Sequence, residues 1–312
     1  MSENITHVAV CDDVSRLAAL HPDVHPSFVE VLREHQDVAR FGAGTQSADR
    51  WTAELIAWAR EEMAKPADDR DARGGQKLAF VLGALTHRAA DRLMKPIIYY
   101  PEQTEGHEGF VEATIHCDVF IFKEVYGGGE GPHAGPYPKA ILDAPATEAQ
   151  RTLEEYFRVL WRRAIVAMHT FSPDRADVPG WLDKLLNTLQ QFPMEMSRYA
   201  RIAAEWDPAK VKRYLEDTHF YDRDDALIRC ARDVQHGRPV SAAGLVDALA
   251  ATTDESSRYA RALAKGLGYV IAASQLFEGD ISVEEAKTRF DVGVPELSLA
   301  YTGPKEPAVA TA

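Results

Sequence analysis

The stretch Gly83-Ala84-Leu85-Thr86-His87-Arg88-Ala89-Ala90-Asp91 decides how this chain of 312 residues is read. It lies inside a segment, Gly75 to Leu93, in which Phe80, Val81, Leu82, Ala84 and Leu85 make a helix apolar on most sides. At helical pitch His87 and Asp91 stack one turn apart on one face, with Gly83 and Ala79 one and two turns before them. Small residues there let a second helix come close. A buried imidazole and carboxylate need partners, and a metal ion supplies one. Taken alone, an H-x-x-x-D pair also serves as an ordinary surface hydrogen-bonded pair.

The same spacing returns at Glu112-Ala113-Thr114-Ile115-His116, within a helix expected over Glu105 to Tyr126. Glu108, Glu112 and His116 form one stripe beside Val119, Phe120 and Phe122. Asp118 falls about 200° around that helix from His116, so the two cannot share a site and Glu112 ranks above Asp118. Glu108, close to a helix start, reads as compensation of the helix dipole.

Working outward, helical periodicity covers Pro26 to Arg40, Ala48 to Ala64, Thr147 to His169, Pro179 to Glu205, Pro208 to Asp217, Arg223 to Gln235, Ser241 to Ala250, Glu255 to Phe277 and Val283 to Phe290. Ser47 and Thr147 suit N-caps, Pro179 and Pro208 suit first turns, and Gly237 suits a helix end. Gly127 to Pro138 reads as a lid or connector loop, and Lys65 to Gly75 as an exposed connector. The expected fold is all-α, a multi-helix bundle with a metal site between helices. Residues 1–145 form the metal-binding region, 146–302 a helical region packed on it as one continuous domain, and 303–312 a disordered tail.

Composition bounds the function. A 46% hydrophobic chain buries a sizeable core. A net charge of −13 and a pI near 5.3 disfavour general binding to nucleic-acid backbones, which requires a dense Lys/Arg surface. Met1 to His7 has no secretory pattern and no apolar run is long enough to span a membrane, so a cytoplasmic location is expected. Cys11, Cys117 and Cys230 are too widely spaced for a disulfide framework or a thiolate zinc knuckle and read as small apolar residues.

Three further positions precede the first motif: His7, the pair Asp12-Asp13, and Asp49 after the glycine-containing turn Gly42 to Ser47. Each has an ordinary reading, His7 as an exposed residue, Asp12 as an N-cap, and Asp49 as first-turn dipole compensation. Their order is more informative. An early His, an Asp after a Gly-containing turn, a helical Gly83-x-x-x-His87-x-x-x-Asp91 and a further helical His with a Glu together resemble the zinc-dependent phospholipase C and fungal single-strand nuclease superfamily, over roughly residues 5 to 126. Its members are all-α phosphoesterases that hold up to three zinc ions among helices. The resemblance implies His7, Asp49, His87, Asp91 and His116 as metal ligands, with Glu112 as a sixth. Where the family carries another His after the H-x-x-x-D motif this chain reads Arg92-Leu93-Met94-Lys95-Pro96, and the family's second motif, H-x-x-x-E, appears here in the order Glu112 then His116.

The implied chemistry is hydrolysis of phosphate esters by a water that two or three zinc ions acidify, with iron or manganese as further options for such ligands. Asp49 is the candidate that orients this nucleophile. Lys95 and Arg88 are near enough in sequence to clamp phosphoryl oxygens, though Arg88, about 100° from His87, reads as a solvated charge. The expected partner is a small phosphate-containing substrate. His169 reads as a helix-end histidine, His219 to Asp225 as a capped turn, His21 to Pro26 as an extended segment, and Tyr99 and Tyr100 either as pocket walls or as core aromatics. No Walker loop, strand-bound Gly-x-Gly-x-x-Gly or Gly-x-Ser-x-Gly elbow occurs. The competing expectations are a helical di-iron oxidase or oxygenase, disfavoured by i,i+4 rather than i,i+3 pairs, and a non-catalytic helical binding protein.

Overall fold

The computed structural model describes residues 4–45, 48, 50–71, 74–127 and 207–294, and every regular element among them is helical. The first stretch carries α1 (Asn4–Ala18), α2 (Pro26–Glu34), α3 (Gln36–Thr45), α4 (Arg50–Ala64) and the long run α5 (Gly74–Tyr126). The second carries α6 (Pro208–Val211), continued as a π turn over Lys212–Glu216, then α7 (Ala226–Gln235), α8 (Ala242–Ala250), α9 (Arg258–Glu278) and α10 (Val283–Arg289). The all-α bundle expected from periodicity is what forms. Ser47, Asp49, the helices expected at 147–169 and 179–205 with Thr147, His169 and Pro179, the loop beyond Gly127 and the tail from Gly303 lie outside the described residues.

Local chemistry sets many boundaries. Ser241, Ser257 and Ser282 cap α8, α9 and α10, each hydroxyl accepting from a backbone N–H three residues on. Asp207 and Pro208 open α6 in the same manner. The amphipathic α7 turns Leu227, Ile228 and Ala231 inward.

Three expectations need correction. No helix is expected before Pro26, yet α1 is there, because its cap is not local. The Asp118 carboxylate accepts from Ile5 N (3.2 Å), Thr6 N (2.8 Å) and Thr6 Oγ1 (2.6 Å), across more than 110 positions of chain. The helix expected over Pro26 to Arg40 breaks at His35 (φ −120°, ψ 36°), and the glycine-containing turn that follows is instead the body of α3. Finally, the gap expected between Leu93 and Glu105 is helical: α5 runs through Pro96 and Pro101 and is interrupted at Gly106 (φ 71°, ψ −161°). Proline keeps a helical φ and costs one backbone bond, so a long helix can run through it.

The centre of the bundle is the crossing of α3 with α5. A Cβ built on Gly83 would lie 1.9 Å from the Ala39 carbonyl oxygen, and one on Gly42 would lie 2.3 Å from that of Phe80. The two backbones therefore touch, and only glycine fits at either position. α1, α4 and α9 pack around α5 as well, and one apolar cluster joins Val14, Phe80, Leu85, Leu263, Val270 and Phe290. Helices on both sides of residue 145 thus share a core.

Two buried aspartates show how charge is held in this core. Asp12 accepts from Arg40 Nε (2.8 Å), Arg40 Nη2 (3.0 Å) and Tyr126 OH (2.9 Å), so it is not an N-cap. Asp13 accepts from Arg16 (2.7 Å), Tyr259 OH (2.8 Å) and Arg232. Satisfied networks of this kind fix a unique helix register, and removal of one partner would strand a buried charge. Among the described residues no helix is long and apolar enough to cross a membrane.

Candidate metal centre

α1 presents His7 and α5 presents His87 and Asp91 to a common point. His7 Nε2 lies 3.1 Å from Asp91 Oδ1, and His87 Nε2 lies 3.1 Å from Asp91 Oδ2. The two imidazoles stack, with centroids 4.2 Å apart and planes inclined by 28°. One ligand atom from each residue falls within 4.8 Å of the other two. His7 and Asp91 are only 2% and 1% exposed, so the reading of His7 as a surface residue is overturned.

The tautomer of His87 follows from its neighbour. His87 Nδ1 lies 2.6 Å from the Ala43 carbonyl oxygen, which can only accept, so Nδ1 carries the proton. A neutral ring then turns the lone pair of Nε2 toward a carboxylate oxygen, and two acceptors at 3.1 Å repel unless a positive charge joins them. A second proton is disfavoured: burial, the largest influence, lowers the pKa of His87, and the stacked His7 lowers it further against the pull of Asp91. Burial, the largest influence, raises the pKa of Asp91, while charge on the His87 and His7 rings and their hydrogen bonds to it lower it to well below its ordinary range, so the carboxylate is ionised when a cation, proton or metal, sits on those rings. The outcome is an ionised carboxylate between two ring nitrogens, a donor set suited to zinc, manganese or iron. Ala43, delivered by the glycine crossing, fixes the His87 ring by the kind of outer bond that would orient a ligating imidazole.

One turn further along α5, Lys95 Nζ lies 2.7 Å from Asp91 Oδ2. Arg88 departs from expectation, since it is buried rather than solvated: Nη1 donates to the Ala48 carbonyl and Nη2 to that of Asp291. Arg92 joins it, donating to the carbonyls of Asp291 (2.8 Å) and Val294 (2.6 Å). Asp291 sits at φ 54°, and its carboxylate accepts from Tyr269 OH (2.6 Å) with Lys265 Nζ 2.7 Å away.

The remaining candidates lie elsewhere. Glu112 pairs with Lys210 (2.5 Å). His116 donates from Nδ1 to the Glu112 carbonyl (2.8 Å) and faces the Tyr214 ring at 5.4 Å, with burial lowering its pKa. Among the described residues the metal-capable group is His7, His87 and Asp91, and neither Glu112 nor His116 belongs to it. Asp118 caps α1, Glu108 is exposed, and His219 is an exposed turn residue with its side chain 3.8 Å from Asp222. His25 Nδ1 caps α2 by accepting from Ser27 N. The side chains of Tyr99 and Tyr100, like Asp49, are outside the described residues. The part of Ala43 was not foreseen, although Ala39, Gly42 and Ala43 repeat at the spacing of a close helix crossing.

Compared with known protein families, with curated proteins and with solved structures, the chain gives no match.

Proposed function

We propose that this chain is a metal-dependent hydrolase of small phosphate esters, working in the cytoplasm, with zinc held by His7, His87 and Asp91. The observation that carries this reading is the buried Asp91 carboxylate with an imidazole Nε2 3.1 Å from each of its oxygens, one of them a fixed lone pair. The order of His7, His87, Asp91 and His116 along the chain, which resembles that of the zinc-dependent phospholipase C superfamily, points the same way.

A divalent ion at these ligands would supply Lewis acidity and a water acidified toward neutral pH. The chain's own residues do the rest. Asp91 stays ionised and brings the one carboxylate of the described group, while His7 and His87 complete a nitrogen-rich donor set. The Ala43 carbonyl locks the ring of His87. Lys95 places an ammonium beside the same carboxylate, where a phosphoryl oxygen would be attracted. Asp49 remains the candidate for orienting the attacking water.

Elemental analysis of protein prepared without chelator, paired with hydrolysis of p-nitrophenyl phosphate and bis-p-nitrophenyl phosphate, tests the proposal. Stoichiometric zinc, lost in His87→Ala together with turnover, supports it. Stoichiometric iron with near-ultraviolet absorption would favour an oxidase, and absence of any metal from wild type a binding protein. Full metal occupancy in His87→Ala would refute the ligand assignment.

A further inference from the structure

His87, Asp91 and Lys95 follow one another at intervals of four on α5 and form a single stripe. Oδ2 of Asp91 faces both the Nε2 of His87 at 3.1 Å and the ammonium of Lys95 at 2.7 Å, while Oδ1 faces His7. The carboxylate is thus shared between an imidazole pair and an ammonium. The side chain of Lys95 is 27% exposed and that of Asp91 only 2%, so the lysine reaches a buried carboxylate from a partly open position.

We propose that the ammonium of Lys95 is a built-in second cation of this centre, so that the centre takes one divalent ion rather than two or three, and that ion and ammonium together receive the oxyanion of a phosphate ester. This deepens the phosphoesterase reading and rests on it. Charge accounting over the described residues supports it: Asp91 is the one carboxylate of that group, and Lys95 already balances it. A divalent ion at two neutral imidazoles then leaves two excess positive charges and a second ion four, or one and three with the Asp49 carboxylate counted in, at a site where His7 and Asp91 are buried and His87 largely so, with repulsion that a low dielectric amplifies.

The same excess charge gives the lysine its use. An ammonium on a flexible four-carbon stem is a point charge that can turn from Asp91 to a phosphoryl oxygen while its backbone stays fixed. In sites with two metal ions, a pair of positive centres grips the transferring group from two sides. Here an ion and a side chain divide that task.

The test is a zinc titration of the full chain by calorimetry, with bound metal counted after dialysis and p-nitrophenyl phosphate as substrate. Wild type is expected to bind one zinc. Lys95→Met, which keeps the stem and removes the charge, should bind one zinc at least tenfold more tightly while kcat/KM falls at least tenfold. Lys95→His, which offers a ligand in place of a cation, should raise the count toward two, and Lys95→Arg should keep the wild-type count and affinity within a fewfold. Two zinc ions in wild type, or a Lys95→Met protein indistinguishable from wild type in affinity and turnover, would overturn the inference and leave the metal reading standing. Absence of zinc from both wild type and His87→Ala would overturn both.

Discussion

Gly83→Ala adds one methyl group where α3 crosses α5, and its consequence can be worked from the geometry. The new Cβ would stand 1.9 Å from the Ala39 carbonyl oxygen and also within 3.0 Å of the Ala43 backbone nitrogen, with backbone on both sides and no side chain to swing away. Restoring an ordinary contact requires α3 to retreat by roughly 1.5 Å. Overpacking of this sort costs about 1–3 kcal/mol, and the upper end applies because only backbone can yield. The better helix propensity of alanine returns about 1 kcal/mol, leaving a net loss of about 2 kcal/mol. For a chain of 312 residues, with an unfolding entropy of about 2.1 cal/mol/K per residue, that lowers Tm by about 3 °C. The retreat also carries away the Ala43 carbonyl, now 2.6 Å from His87 Nδ1, so zinc affinity should fall at least tenfold. Calorimetric melting and zinc titration read the two effects separately. Gly44→Ala is the control, since a Cβ there meets nothing within 4 Å. A Gly83→Ala protein that melts at or above wild type and holds zinc as tightly would refute the close crossing and its part in orienting His87.

Asp118→Ala removes the acceptor shared by the first amides of α1, and should cost about 1–3 kcal/mol in urea unfolding while loosening zinc through His7; an unchanged midpoint would mean that α1 is held by packing alone. Cys11 is a thiol whose pKa burial, aided by Asp12, pushes up from 9.0 to about 12. Because the folded value exceeds the unfolded one, this group stabilises the fold below about pH 9 and the contribution disappears as pH rises toward 12. Guanidinium melts at pH 8 and pH 10.5 should show a smaller loss of stability for Cys11→Ala than for wild type, and at pH 8 a disulfide reagent should reach Cys11 only as fast as the chain unfolds; equal losses, or a fast reaction, would contradict its burial.

What periodicity can see was legible in the sequence. α4 and α7 to α10 stand within a few residues of their expected positions because each carries an apolar stripe and most carry a local cap. α1 escaped because its stripe is interrupted by Asp12 and Asp13 and its cap is Asp118, and both pairings are made by residues distant in the chain. The continuity of α5 through Pro96 escaped because proline reads as a helix stop, although its φ is a helical one. His87 and Asp91 could be read as a pair from spacing, and the order of residues added His7. Glu112 and His116 obey the same spacing and yet face Lys210 and Tyr214, because spacing fixes a face of a helix and not what packs against it. Arg88 looked solvated for want of any signal that carbonyls of residues 48 and 291 would surround it.

That pairing bears on how the protein is made. Arg88 and Arg92 stand beside His87 and Asp91 on α5, and besides the Ala48 carbonyl that Arg88 reaches they find acceptors at Asp291 and Val294, about 200 positions downstream. A nascent chain that has just emerged through Tyr126 already contains His7, His87, Asp91 and the Ala48 carbonyl that takes Arg88 Nη1, but the acceptors at Asp291 and Val294 are still to come. Part of the hydrogen bonding beside His87 and Asp91 is therefore completed only by the end of the described chain, and a cut near residue 290 would take acceptors from Arg88 and Arg92, about two hundred positions away in sequence.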